Sequence, residues 1–255
     1  MKIKVILFVL LFVVAYICGF PFQEEKTLNL GAAGITGLEI DCGAGALKVT
    51  GSGGSDTIEV RAKIVLKGID DDDINSFIKD NVTLTLEKKG DHAVLVSNID
   101  SSFTSLFKRR EAYIDLDVRV PAKLELSIDD GSGSIEVSGI SGDVEIEDGS
   151  GSMEVSDIGG DLEIDDGSGS VIVRDVGGNV EIEDGSGEIK LENIKGNVDV
   201  DDNSGSVKIY GIGGSVVVDD GSGGIYIDGV EKDVFIKNAG SGALKINNVK
   251  GKVTK

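Results

Sequence analysis

Pairs of adjacent acidic residues recur in this sequence at a fixed spacing, and a Gly-Ser-Gly segment follows most of them. Residues 164–173 read IDDGSGSVIV, and near-copies begin at Ile146 and Ile182. Clustered carboxylate oxygens are the ligands that Ca²⁺ prefers, and a pair of carboxylates is also the catalytic apparatus of most glycosidases. A catalytic pair should be unique, whereas these pairs repeat along the chain. The pattern therefore argues against glycosidase chemistry and leaves cation binding as one hypothesis.

The acidic residues fall into columns when the copies are aligned. Copies start at residues 128, 146, 164, 182, 200, 218 and 236, and we number the positions of each copy from 1 to 18. Acids occupy positions 2 and 3 in the first six copies and position 18 in the first four. The column at position 2 is Asp129, Glu147, Asp165, Glu183, Asp201 and Asp219; that at position 3 is Asp130, Asp148, Asp166, Asp184, Asp202 and Asp220; that at position 18 is Glu145, Glu163, Glu181 and Asp199.

A column of like charges needs a physical reason, because carboxylates ~4.8 Å apart repel each other by roughly 1 kcal/mol per pair in water. Turn formation is the first explanation, since an aspartate before Gly-Ser-Gly can accept hydrogen bonds from backbone N–H groups. Acids at positions 2 and 18 flank the apolar position 1, so they should face solvent and keep a rod soluble. The second explanation is divalent cations, held either in dedicated Ca²⁺ sites or as a diffuse layer. The GGxGxD signature of calcium β-rolls is absent from the sequence.

The elements that carry these acids follow from the apolar positions of the repeat. Positions 1, 8, 10, 13 and 17 are aliphatic in all seven copies, and two-residue spacing of β-branched residues is typical of strands. A fixed long period with one apolar stripe means that each unit buries its face only by stacking on its neighbours. The sequence therefore predicts an all-β fold, a parallel β-solenoid (β-helix) of seven 18-residue coils, roughly 34 Å long at ~4.8 Å per coil.

Two local features of the coils can also be predicted. Position 4 is glycine except at Asn203, which predicts a left-handed backbone at this position, because asparagine is the non-glycine residue that best tolerates a positive φ. The last copy needs one extra residue near Ala239 to stay in step, so its first turn should contain a bulge.

The segment before the repeats is less regular. Residues 37–51 match the repeat, with Cys42 in the place of the second acid, and predict a first, divergent coil. Later stretches alternate as antiparallel strands would, and one acidic stretch predicts a short helix with an acidic first turn. The predicted strands are 57–66, 82–88, 93–97 and 112–120, and the helix is 72–81. We divide the chain into residues 1–22, a signal peptide or anchor; 29–127, a β-rich capping module; and 128–255, the solenoid.

A specific resemblance adds to this interpretation. An alternating strand that ends in VRVP at Pro121 is followed by KLELSIDDGSGSIEVSGISGDVEIEDGSGSMEV. The pattern resembles the bacterial β-strand-repeat family known as putative adhesins, over roughly residues 30–255. The resemblance implies a solenoid fold and an exported or envelope-associated location, and it brings no catalytic residues.

The N-terminal segment favours export. Lys2 and Lys4 precede an apolar run over residues 5–17, as in a secretory signal. Three alternatives stay open: cleavage after Gly19, lipidation at Cys18, and an uncleaved anchor. The expected location is extracytoplasmic, meaning secreted, periplasmic or associated with the envelope.

Composition argues against several classes of function. The formal charge is −20, which disfavours nucleic acid, since phosphates bind Lys and Arg. Residues 128–235 hold 27 acidic and 5 basic residues, so the anionic character belongs to the coils. His92 is the only histidine, expected in an exposed loop, and the chain has no GxxxxGK[ST] phosphate loop. We therefore expect no enzyme and assign no catalytic residue, cofactor site or metal ligand, with Ca²⁺ kept as the one cofactor hypothesis.

Two irregular features bear on partners. Residues 101–111 (SSFTSLFKRRE) place Phe103 and Phe107 beside basic residues, which fits either a hairpin that folds back or a contact with an anionic membrane. The last copy exchanges acids for lysines, which favours end-to-end self-association. The sequence thus predicts a non-catalytic structural or adhesion module whose partner is a surface protein, glycan or envelope component, with membrane association through the N-terminus. The alternative is a divalent-cation-binding solenoid.

Overall fold

The structure is a computed structural model that describes residues 21–69, 71–100 and 111–255. The predicted signal or anchor segment, with Cys18, and the hydrophobic–basic loop at Phe103–Arg110 lie outside the described residues, apart from the end of the former at residues 21 and 22. Within these ranges, six strands and one α-helix precede the repeats. They are β1 (Phe22–Gly31), β2 (Gly37–Ser52), β3 (Thr57–Lys67), α1 (Ile74–Asn81), β4 (Val82–Lys89), β5 (His92–Ile99) and β6 (Glu111–Pro121).

Each coil of the repeat region carries two strands, a five-residue A strand and an eight-residue B strand, and the last coils deviate in length. The first strand, β7 (Glu125–Ser138), spans both parts. The A strands are β8 (Val144–Asp148), β10 (Leu162–Asp166), β12 (Val180–Asp184), β14 (Val198–Asp202), β16 (Val216–Asp220), β18 (Val234–Ala239) and β20 (Val253–Thr254). The B strands are β9 (Gly151–Ile158), β11 (Gly169–Val176), β13 (Gly187–Ile194), β15 (Gly205–Ile212), β17 (Gly223–Val230) and β19 (Leu244–Val249).

The coils stack in parallel and in the register that the repeat predicts. Ile164 pairs with Ile146 on one side and with Ile182 on the other, 18 residues away in each direction. The B strands pair in the same way, as Val171 does with Met153 and Ile189. Aliphatic residues at positions 1, 8, 10, 13 and 17 are buried throughout the first six copies. The predicted parallel β-solenoid with an aliphatic interior is confirmed.

The segment before the repeats contributes coils of its own. β2 pairs in parallel with β7, with Cys42 opposite Asp130, so the predicted divergent coil is present. On its other side β2 pairs in parallel with β5 and β6. The expectation of antiparallel pairing is therefore right for β3–β6 and β4–β5 and wrong for β5 and β6 against β2. Strand β1, which pairs antiparallel with β3, was not predicted. Alternation of apolar and polar residues shows which face of a strand is buried, but it does not depend on strand direction. The sequence pattern therefore could not distinguish parallel from antiparallel pairing.

The helix is shorter than predicted. A 3₁₀ turn, Asp71–Asp73, takes the acidic residues, and α1 begins only at Ile74. Ile74 and Phe77 are the buried residues of α1, and both belong to the common hydrophobic core. The helix is therefore held by packing, since eight residues are too few for a stable isolated helix.

The prediction of a left-handed backbone at position 4 is wrong for the first six copies and right only for Gly240 in the last, bulged copy, which has a φ of 51°. Position 4 continues the ladder instead, because its N–H donates to the position-3 carbonyl of the preceding coil, as from Asn203 to Asp184 at 2.9 Å. Positive φ values occur at position 6, for example 152° at Gly169, and at position 12, for example 57° at Asp175 and 61° at Asn193. The bulge predicted near Ala239 is present, since the register of β16 with β18 shifts after Val218.

Candidate functional site

The outward side chains of the solenoid form two faces of different character. The A strands present positions 18 and 2, and we call this surface the acidic face. Glu145, Glu163 and Glu181 at position 18 are exposed there. Among the described residues none of these three carboxylates forms an ion pair, and Lys237 Nζ reaches the face at its far end, 3.7 Å from Asp199 Oδ1. The acids predicted to face solvent therefore do so, as a nearly uncompensated array.

A cleft of about 830 Å³ runs along the acidic face. It starts beside Gly37 and His92 and continues past coil after coil to Val217. One wall is the position-18 column, and the other is position 16, which had not been singled out in the sequence. The position-16 residues that line the cleft are Asp143, Asp161, Asn179, Asn197 and Ser215. The cleft is thus elongated along the stacking axis and lined with carboxylates and amides.

Position 16 forms a hydrogen-bonded ladder between coils. The side-chain oxygens of the aspartates and asparagines accept from the backbone N–H of the same position one coil further on: Asp161 Oδ1 from Asn179 at 2.6 Å, and Asn197 Oδ1 from Ser215 at 3.0 Å. Amide groups add a second bond per step, since Asn197 Nδ2 donates to Asn179 Oδ1 at 3.2 Å. The ladder fixes the corner between coils and keeps the wall of the cleft straight.

Removing one step of this ladder should weaken the corner. We expect Asn197→Ala to lower the free energy of unfolding by about 1 kcal/mol, because the Ser215 N–H loses its acceptor while water replaces part of the bond. Asn203→Ala is the matched control, since the Asn203 side chain is exposed and has no hydrogen bond among the described residues. Urea unfolding followed by circular dichroism measures both, and equal losses in the two variants would contradict a structural role for the ladder.

The position-3 aspartates lie inside the coil rather than on the acidic face. They form what we call the aspartate column, and each is at most 5% exposed. One oxygen of each carboxylate shapes the turn: Oδ1 of Asp166 accepts from the N–H of Ser168 at 3.1 Å, and Oδ1 of Asp184 from that of Ser186 at 2.9 Å. This is the turn chemistry expected from the sequence. The residues of the column are Asp130, Asp148, Asp166, Asp184, Asp202 and Asp220.

The second oxygen of every carboxylate in the column has no partner. Oδ2 of all six aspartates is buried without a hydrogen bond to any described protein atom. Burial raises the pKa of Asp166 to about 6, and the charges of Asp184 and Asp148 add to the effect. Burial and neighbouring aspartates also raise the pKa of Asp130 and that of Asp202 to about 6, although backbone N–H donors act in the opposite direction. The pKa values of the other three carboxyls are raised by burial as well.

The polar column continues into the N-terminal coils with uncharged residues. Cys42 occupies position 3 below Asp130, and its Sγ donates to Asp130 Oδ1 at 3.3 Å. Burial, followed by the Asp130 charge, raises the pKa of the Cys42 thiol strongly, so it is a neutral donor. Ser97 stands opposite Cys42 in the next coil, and its Oγ is buried without a partner among the described residues.

The B strands present a face of balanced charge, which we call the mixed face. Arg174 donates to Glu154 and, from Nε at 3.1 Å, to Glu192. Lys190 and Lys208 pair with Glu192 and Glu188 at 2.8 and 2.6 Å. Further along, the rings of Tyr210 and Tyr226 lie 5.4 Å apart, and Lys245 Nζ is 5.2 Å from the Tyr226 ring centre. Cations on this face are thus already engaged, in contrast to the acidic face.

His92 lies at the first residue of β5 rather than in a loop. Its Nδ1 is 3.4 Å from Glu39 Oε1 at the N-terminal end of the cleft, and its side chain is 40% exposed. Over the described ranges, no three His, Cys, Asp or Glu side chains converge in a way that could hold a metal ion. No helix within the described residues is long and apolar enough to cross a membrane.

Comparison with solved structures finds proteins of similar architecture at low identity. A putative lipid binding protein from Parabacteroides distasonis is 18% identical over 91% of this chain and 97% of its own, with a TM-score of 0.43. A putative adhesin from Bacteroides fragilis is 11% identical over 91% of this chain and 96% of its own, with a TM-score of 0.41. A putative cell adhesion protein from Clostridium sporogenes is 15% identical over 92% of this chain and 98% of its own, with a TM-score of 0.36. No protein-family model and no curated protein matches the chain. Similarity at this level assigns neither a family nor a function.

Proposed function

We propose that this chain is a non-catalytic adhesion or structural module of the cell envelope or exterior, and that the acidic face is its contact surface. The proposal rests on the cleft of about 830 Å³ along that face, whose carboxylates contact almost no cations among the described residues. Its partner should be a cationic segment or surface at the cell exterior, presented by a protein, an amino-bearing glycan or an envelope component, because opposite potentials guide encounter and fix orientation.

Regular spacing makes the proposed contact multivalent. Carboxylates at position 18 recur once per coil, ~4.8 Å apart, on strands whose register is fixed by the aliphatic interior. A rigid array loses little side-chain and backbone freedom on binding, so many weak ion pairs add up. Each pair alone contributes little in water, and the binding should therefore depend steeply on salt.

The test compares two variants of equal net charge. Glu145→Gln, Glu163→Gln and Glu181→Gln together remove three charges from the acidic face. Asp157→Asn, Asp175→Asn and Asp228→Asn together remove three from elsewhere, and asparagine keeps the acceptor oxygen. We expect at least about tenfold weaker binding to an immobilised oligolysine peptide for the first variant and little change for the second. Equal losses would show that only net charge matters and would contradict the proposed surface.

The alternative function is binding of divalent cations along the acids, either on the acidic face or in the aspartate column. It is favoured by the buried, unpartnered oxygens of the column. Thermal unfolding in millimolar calcium and then in chelator tests it, because binding to the folded state alone raises stability by RT ln(1 + [L]/Kd). A shift of many degrees with calcium that matched monovalent salt does not reproduce supports the cation function; a shift no larger than that of the salt rules it out.

A further inference from the structure

The aspartate column combines burial with an unmet demand for hydrogen bonds. Six carboxyls stack one per coil, each with Oδ1 engaged or directed at the turn and Oδ2 buried without a protein partner. A buried carboxylate oxygen without a donor is costly. The same unpartnered carboxylate oxygen recurs in six consecutive coils. It is therefore a regular feature of the repeat and not an isolated defect of one coil.

No positive group offsets these charges. Of the described residues, the buried polar or charged ones are the six aspartates and Ser97, and no lysine, arginine or histidine is among them. The inward positions of the B strands are aliphatic in the first six copies. The charges that act on the six aspartates are other members of the column and the outward acids Asp165, Asp201 and Asp219. Asp41 and Asp129 act on the Cys42 thiol beside the column. The remaining polar neighbours are the Cys42 thiol and the backbone N–H groups of the turns.

We propose that the aspartate column is a proton-binding site, in which carboxyls of neighbouring coils take up protons, and that the solenoid is more stable in mild acid than at neutral pH. A protonated carboxyl removes the repulsion between adjacent members and becomes a donor toward the next oxygen in the stack. Because the members interact, the protons belong to the column as a unit rather than to single residues.

The pKa values of the column fix the direction and the window of the effect. Every second member, Asp130, Asp166 and Asp202, has a pKa raised to about 6, against about 3.9 for an unfolded aspartate. The folded chain therefore binds more protons than the unfolded chain, and the added stability is complete below about pH 4 and is lost as the pH rises through 6. Each such carboxyl raises the unfolding constant by up to about a hundredfold across that range. The midpoints at pH 5, 6 and 7 therefore span the pH range in which this stability is lost.

The experiment follows the denaturation midpoint at pH 5, 6 and 7, at constant ionic strength and in chelator, for three forms of the full chain. They are the unchanged protein; the column variant Asp166→Asn, Asp184→Asn, Asp202→Asn; and the control Asp157→Asn, Asp175→Asn, Asp228→Asn, which removes three outward charges from the B strands. Asparagine keeps the oxygen that accepts from the turn N–H and replaces the unpartnered oxygen by a donor.

We expect the midpoint of the unchanged protein and of the control to fall from pH 5 to 7. That of the column variant should fall much less, because Asp130 is the one carboxyl with a pKa of about 6 that remains, and it should lie highest at pH 7. A flat profile for the unchanged protein, or an undiminished slope in the column variant, overturns the proposal. Stabilisation at pH 7 by calcium without a pH slope overturns it in favour of a cation. If the column variant does not fold, proton release on unfolding the unchanged protein at pH 6 decides: about one proton or more is expected, and none contradicts the proposal.

Discussion

Gly169→Ala should break the stack at one coil and lower the free energy of unfolding by about 3 kcal/mol or more. Gly169 has a φ of 152°, and a Cβ at this residue would lie 1.5 Å from the carbonyl oxygen of Gly151 in the coil below. The atom in contact belongs to the backbone, which cannot move aside as a flexible side chain can. The two coils must therefore separate locally. In a solenoid each coil contacts only its neighbours, and amide hydrogen exchange should therefore show the loss of protection first in β9 and β11.

Gly53→Ala is the matched control for this substitution. Gly53 has no atom within 4 Å of its Cβ position and no left-handed φ, so the same change should alter stability by less than about 0.5 kcal/mol. Denaturant unfolding with exchange mass spectrometry measures both variants. Similar stability of the two, or loss of protection far from residues 151–176, would contradict the stacking described above.

Leu191→Ala should have the second largest effect, about 2–5 kcal/mol. Leu191 is fully buried at position 10, between Val173 and Ile209 of the adjoining coils. The interior is aliphatic and closely packed, so truncation leaves a cavity that the fixed register of the coils prevents from closing.

Lys190→Ala on the same strand is the control, because its side chain points outward and makes an ion pair at the rim with Glu192. A surface pair of this kind contributes at most about 1 kcal/mol. Equal midpoints of the Leu191 and Lys190 variants in urea would mean that position 10 is not the core of the solenoid.

The coil architecture could be predicted from the sequence because residues that occupy the same position in successive repeats stack on each other in the interior, so the 18-residue spacing of the aliphatic residues also sets the strand register. Ile146, Ile164 and Ile182 stand at one position of the repeat, and they pair directly in the structure. Strand direction in the N-terminal segment could not be predicted in this way. Strands β3 and β5 both alternate, yet β3 pairs antiparallel with β6, whereas β5 pairs parallel with β2 and antiparallel with β4.

The candidate site was predictable only in part. Outward acids at positions 2 and 18 follow from their place beside position 1. The burial of position 3 follows from the same two-residue period. An aspartate is seldom buried without a partner, however, so the residue type at this position favoured an exposed location. The ladder at position 16 could not be predicted, because Asp161, Asn179 and Ser215 are different residue types that have only a side-chain oxygen in common. A signal for position 12 was present, since only Asp, Asn and Gly fill it in the copies from residue 146 on.

Carboxyl footprinting of the folded protein with a carbodiimide and an amine, with and without a bound oligolysine peptide, shows which acids a cationic partner covers. We expect Glu145, Glu163 and Glu181 to be labelled in the free protein and protected in the complex. Outward acids away from the cleft, such as Asp157 and Asp175, should be labelled in both. Protection spread evenly over all outward acids, or confined to residues outside the acidic face, would contradict the assignment of this face as the contact surface.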